Sequence, residues 1–121
     1  MWVEASWVAL ALIHAPPSAA TFLPGLRRRL YGGVDETGPL RLILIHRGAL
    51  FLAVFAACAF AVFNASAREL ASIVVSISVV GFLLIYLSTA PASRRPLRNV
   101  AIVDAIGLAP LAYVLFETWR T

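Results

Sequence analysis

The chain has no lysine, one cysteine and one methionine in 121 residues, and only 13% of its residues are charged. The single thiol, Cys58, excludes an intrachain disulfide framework and a thiolate-built metal centre; among alanines it reads as a small packing residue. All ten basic residues are arginines, dispersed between apolar stretches without interleaved aromatics, so the net charge of +4 describes loops and not a nucleic-acid surface. Charge this sparse also excludes an ordinary soluble globular domain. What is present instead is 61% hydrophobic residues and a mean hydropathy of +0.88, the composition of a polytopic membrane protein.

Four apolar segments predict a single transmembrane domain over 1–121, an all-α four-helix bundle with helices over 2–20, 40–63, 69–90 and 98–118. At 1.5 Å per residue the second could span about 36 Å and the third about 31 Å, against a hydrocarbon core of about 30 Å. The fourth carries Gly107 and Pro110, which membrane helices tolerate where neighbours satisfy the freed carbonyl. The first meets Pro16-Pro17, leaving open one bent helix or a short helix followed by an interfacial piece. Its only early charge is Glu4, so no basic region marks it as a cleaved signal peptide.

Arg27, Arg28, Arg29 and Arg41 flank the first connection and Arg94, Arg95 and Arg98 the third, whereas Arg68 in the second is balanced by Glu69. The positive-inside rule then places connections one and three in the cytoplasm and both termini in the periplasm, in a single orientation across a bacterial inner membrane. Trp2, Trp7 and Trp119 suit an aromatic belt at the outer interface. The basic first connection, which also holds Tyr31 and Gly32-Gly33, is expected to lie partly on the bilayer surface and to meet anionic headgroups through Arg27, Arg28 and Arg29. Its glycines lack the pattern of a phosphate loop.

Asp104 is the most informative residue, because a carboxylate inside a membrane segment is expensive and marks a candidate functional site. The predicted orientation brings it level with His46 and Arg47 in the second segment, Tyr86 in the third and His14 in the first. His46 and Asp104 would then lie roughly 8 to 10 Å inside their helix ends. His46 stands above Ala49, Ala53, Ala57 and Ala61, a small-residue ladder that predicts an inward face and leaves room for a homodimer. Arg47 either pairs with Asp104 or extends to the phosphates. On the first segment Glu4, Trp7, Ala11, His14 and Ser18 share one stripe.

This layer supports several chemistries. His14, His46 and Asp104 could form a two-histidine, one-carboxylate set, but they come from three helices without local ligand spacing, and no metal or cofactor is expected. General acid–base work needs only His46, Asp104 and Arg47 as acid, base and ion pair, with His14, Tyr31 and Tyr86 as substrate-binding groups. An Arg47–Asp104 or His46–Asp104 clasp is the purely structural alternative. Three functions stay open: binding or acid–base conversion of an apolar or amphipathic small molecule or lipid near the cytoplasmic face, small proton-coupled transport, and an accessory or scaffold role in a membrane complex.

The stretches Arg29-Leu-Tyr31-Gly, Leu44-Ile-His46-Arg47-Gly-Ala-Leu-Phe51 and Val103-Asp104-Ala-Ile-Gly107, in a chain with a short first helix and Pro-rich sequence after it, resemble small bacterial four-helix membrane proteins of the DoxX-like kind. The resemblance covers nearly the whole chain through short motifs. It implies four membrane helices and points to His46, Arg47 and Asp104 as family-like positions.

Overall fold

The protein is described by a computed structural model covering residues 1–30 and 38–120. All regular structure among these residues is helical. In chain order it comprises α1 (Trp2–Ala19), α2 (Pro24–Leu30), α3 (Pro39–Phe63), α4 (Arg68–Ser88), α5 (Pro91–Arg94) and α6 (Arg98–Trp119), with 3-10 turns at Ala65–Ala67 and Arg95–Leu97. The stretches Pro39–Phe63, Ala65–Ser88 and Pro91–Trp119 are long and apolar enough to cross a membrane. Together α1 and α2 pass the same test as a pair bent by 117°.

Proline chemistry sets several of these boundaries. Pro39 and Pro91 start α3 and α5, where a missing N–H costs nothing, and Gly38 enters α3 at φ 55°, a conformation glycine adopts freely. Helix α1 runs through Pro16 and Pro17, which resolves the alternative left open by the sequence. The Ala20 N–H still reaches the Pro16 carbonyl at 3.0 Å, and the helix breaks afterwards, before Pro24, whose ring disfavours helical backbone at Leu23.

The four long helices pack as a ring in which α1 touches α3 and α6, and α4 touches the same two. Trp7, Leu10, Ala11, His14 and Ser18 form the buried stripe of α1, and Ala101, Asp104, Gly107, Leu111 and Val114 that of α6, both at helical spacing. Trp7 is fully buried and packs in the core, which corrects its placement in an interfacial belt; Trp2 and Trp119 are exposed. Cys58 is buried beside Val54 and Ala61. The outer surface is apolar as well, with Leu42, Leu50, Phe63, Leu70, Ile77 and Ile106 exposed, which is the surface of a protein solvated by hydrocarbon.

An arginine closes the C-terminal end of three of these helices. Arg27 Nη1 donates to the carbonyls of Ala20 at 2.8 Å and Thr21 at 3.1 Å, Arg68 donates to Ala61 at 2.9 Å and Val62 at 3.3 Å, and Arg94 donates to Tyr86 and Leu87 at 3.3 Å. The last carbonyls of a helix have no intrahelical donor and sit at the negative end of its dipole, so a permanent cation folding back from the next segment satisfies both. Arg27 is therefore buried, 3% exposed, whereas Arg28 and Arg29 on α2 are exposed.

Helix α3 meets the turn that follows α1 at Gly48, where an added Cβ would overlap the Thr21 hydroxyl and stand 3.1 Å from the Thr21 Cα. Gly48→Ala should therefore lower stability by about 1–3 kcal/mol, the usual cost of overpacking. Gly81→Ala, with nothing within 4 Å of the new Cβ, should leave it unchanged or slightly raised. Thermal unfolding of both variants in one detergent checks the contrast.

Candidate functional site: a carboxylate beside a proline pair

Asp104 lies on the same α6 stripe as Ala101 and Gly107 and is 7% exposed. The stripe faces α1 closely enough that a Cβ on Gly107 would come 2.8 Å from Ile13 Cδ1. Just beyond this contact a cavity of about 260 Å³ opens between three elements. Ile13, Pro16 and Pro17 of α1 form one wall, Leu26, Arg29 and Leu30 of α2 a second, and Asn99, Val100, Val103 and Asp104 of α6 the third.

The Asp104 carboxyl is the anionic group of this lining. Among the described residues no hydrogen bond and no direct ion pair reaches the Asp104 carboxyl; its electrostatic partner is Arg47, acting through space. Pro17 has no N–H to give the Ile13 carbonyl, and both residues line the cavity, so a backbone acceptor in the wall loses its helical donor. The other lining residues are mostly apolar. Asn99 and Arg29 are the remaining polar ones, both in exposed positions.

Arg47 meets two aromatic faces, with its guanidinium carbon 5.1 Å from the Phe51 ring centre and 5.4 Å from that of Phe82. Phe51 also lies 5.8 Å from the His14 ring, so the aromatics separate His14 and Arg47 into neighbouring compartments of one layer. His14 is 1% exposed and uses both ring nitrogens within the protein. Nδ1 donates to the Leu10 carbonyl at 2.8 Å, which leaves Nε2 to accept the Ser78 hydroxyl at 3.0 Å. This bond ties α1 to α4 and leaves neither nitrogen for a substrate.

His46 is exposed, which corrects the expectation that it points inward. The buried face of α3 is Gly48, Val54, Cys58 and Ala61, and Ala49 and Ala53 of the ladder are exposed with His46. Two residues before Gly48 is about 200° around a helix, so the close approach at Gly48 turns His46 outward. Consequently His14, His46 and Asp104 do not converge, and the described residues hold no group of three metal-binding side chains. Tyr86 is half-buried, lies 5.1 Å below the Arg94 guanidinium and lines a different space, between α4 and α6. Tyr31 lies outside the described residues.

Of the expected layer, the structure keeps Asp104 and Arg47 within electrostatic reach and adds Arg29, Asn99 and the Pro16-Pro17 wall. The proline pair was the available signal for the missed wall, since consecutive prolines inside a membrane helix must strip two carbonyls of their donors. No family model, curated protein or solved structure matches the chain.

Removing the Ser78 hydroxyl leaves His14 Nε2 buried without its donor. Ser78→Ala should cost about 0.6–1.7 kcal/mol, the range of interhelical hydrogen bonds in membrane proteins. Ser88→Ala, whose hydroxyl bonds only its own helix, should cost less. Unfolding midpoints of the two variants under identical conditions provide the comparison.

Proposed function

We propose that the chain is a multi-pass protein of the bacterial inner membrane, a four-helix bundle whose Asp104 cavity binds an amphipathic small molecule through a hydrogen-bond-donating group. The observation that carries this reading is the Asp104 carboxyl, which meets no hydrogen-bond donor among the described residues, in a recess with otherwise mostly apolar lining. A ligand supplying an N–H or O–H gains a hydrogen bond to this carboxyl while its apolar part covers Val100, Val103, Leu26 and Leu30. At about 260 Å³ the recess suits a compact head or a small amphiphile, below the roughly 300–1,000 Å³ of drug-sized sites.

The arginine bias supports a cytoplasmic position for the cavity end, with both chain termini periplasmic. Asp104 is six residues into α6, about 9 Å along its axis, a depth reachable from the headgroup layer. Helix α2, bent by 117° from α1 and carrying exposed Arg28 and Arg29, suits an interfacial segment against anionic headgroups. The likeness to DoxX-like proteins agrees with four spans and with a role for Asp104. Binding is favoured over acid–base catalysis because His14 is internally bonded, His46 faces outward and Arg47 is held against Phe51 and Phe82.

The test is a matched pair of probes. Decylamine, with N–H donors, should raise the melting temperature of the purified protein, and decyltrimethylammonium, with none, should raise it far less. Asp104→Asn should weaken decylamine binding about ten-fold or more, the worth of one charge-assisted hydrogen bond. Equal binding of both probes, or unchanged decylamine affinity in the folded variant, would contradict the proposal.

A further inference from the structure

A second, larger space lies on the other side of α6, a groove of about 560 Å³ between α4 and α6. Its α4 wall is Val80, Leu83 and Leu87, and its α6 wall Ile102, Ala105 and Leu108, each set at helical spacing on one face. Polar groups enter the lining only at one end, where Arg98 and Tyr86 stand at the start of α6 and near the end of α4. Arg94 at that end is already engaged, capping α4 and covering Tyr86, whereas Arg98 is exposed and makes no hydrogen bond or ion pair among the described residues.

The groove has the dimensions of one leaflet. From Arg98 to Leu108 is ten residues of helix, about 15 Å, half of a hydrocarbon core of about 30 Å. A channel that is apolar for the depth of one leaflet and cationic at its headgroup end is complementary to a chain ending in a phosphate. Ala101 and Ala105 are what open it: small residues on α6 leave room where Leu83 and Leu87 stand opposite. We infer that this groove binds one acyl chain of an anionic glycerophospholipid, whose phosphate pairs with Arg98.

The occupant is an anionic lipid and not a neutral one because the cationic end carries no acid in its lining among the described residues, and an arginine at an anionic lipid surface is worth a factor of about five. The site is separate from the Asp104 cavity, which shares no lining residue with it, but it rests on the chain crossing a bilayer.

Native mass spectrometry of the protein in neutral detergent, titrated with phosphatidylglycerol or phosphatidylcholine of identical chains, tests the inference. The wild-type protein should retain phosphatidylglycerol about five-fold better. Arg98→Gln should bring it down to the phosphatidylcholine level, and Ala105→Phe, which fills the groove, should reduce retention of both lipids. Decylamine binding at Asp104 should stay unchanged in both variants. Equal retention of the two lipids by the wild-type protein, or a preference that survives Arg98→Gln, overturns the headgroup assignment; undiminished retention in Ala105→Phe overturns the groove. Release of the expressed protein from membranes by alkaline carbonate would instead remove the bilayer reading on which the site depends.

Discussion

Backbone carbonyls that have no donor are the constraint around which this chain is organised. A helix in hydrocarbon cannot leave its last carbonyls to water, and three of the helices meet the problem the same way, with an arginine six to eight residues further on turning back to donate to them. The device suits the short helical segments that directly follow α1, α3 and α4, since the cation must return to a helix end just completed. It also gives the arginines of the connections two roles at once. Arg27 and Arg68 donate to helix ends, while Arg28, Arg29 and Arg98 are exposed.

The constraint is left unanswered at one interior place. Proline at 16 and 17 removes donors from α1 without breaking it, and α6 brings Asp104 to the same space. Arg29 of α2 lines the same space but makes no hydrogen bond or ion pair to Asp104 among the described residues. Arg47 supplies a field and is itself held against Phe51 and Phe82, so the carboxyl is offset electrostatically while its oxygens still face the recess. A carboxyl without a bound donor, an apolar surround and a nearby compensating charge select for a donor on an apolar body, and that selection is the chemical content of the proposed function.

How much of this could be read in the sequence varies helix by helix. The inward faces of α1 and α6 were legible, because polar or small residues, His14 and Ser18 in one and Asp104 and Gly107 in the other, recur at helical spacing and mark one side. The α3 segment was misleading. It is apolar all round, so hydrophobic periodicity carries no direction there, and the alanine ladder crosses faces: Ala49 and Ala53 are exposed with His46, while Ala57 and Ala61 pack in or against the core. Gly48 was the better marker, since its lack of a Cβ is what admits Thr21. The cavity walls were beyond sequence reasoning because they join residues 13–17, 26–30 and 99–104, and only the bend between α1 and α2 brings α2 over the recess.

The proposed function requires the Asp104 recess to hold a donor-bearing guest. A cryo-electron microscopy structure of the protein purified from its own membrane into nanodiscs, stabilised by a rigid binding fragment on a terminal face, measures this directly. The result expected is density in the recess with an atom about 2.7–3.0 Å from an Asp104 carboxyl oxygen, continuing into an apolar tail along Val100 and Val103. A recess collapsed around a direct Arg47–Asp104 ion pair, with α2 packed down onto Pro17, would contradict it.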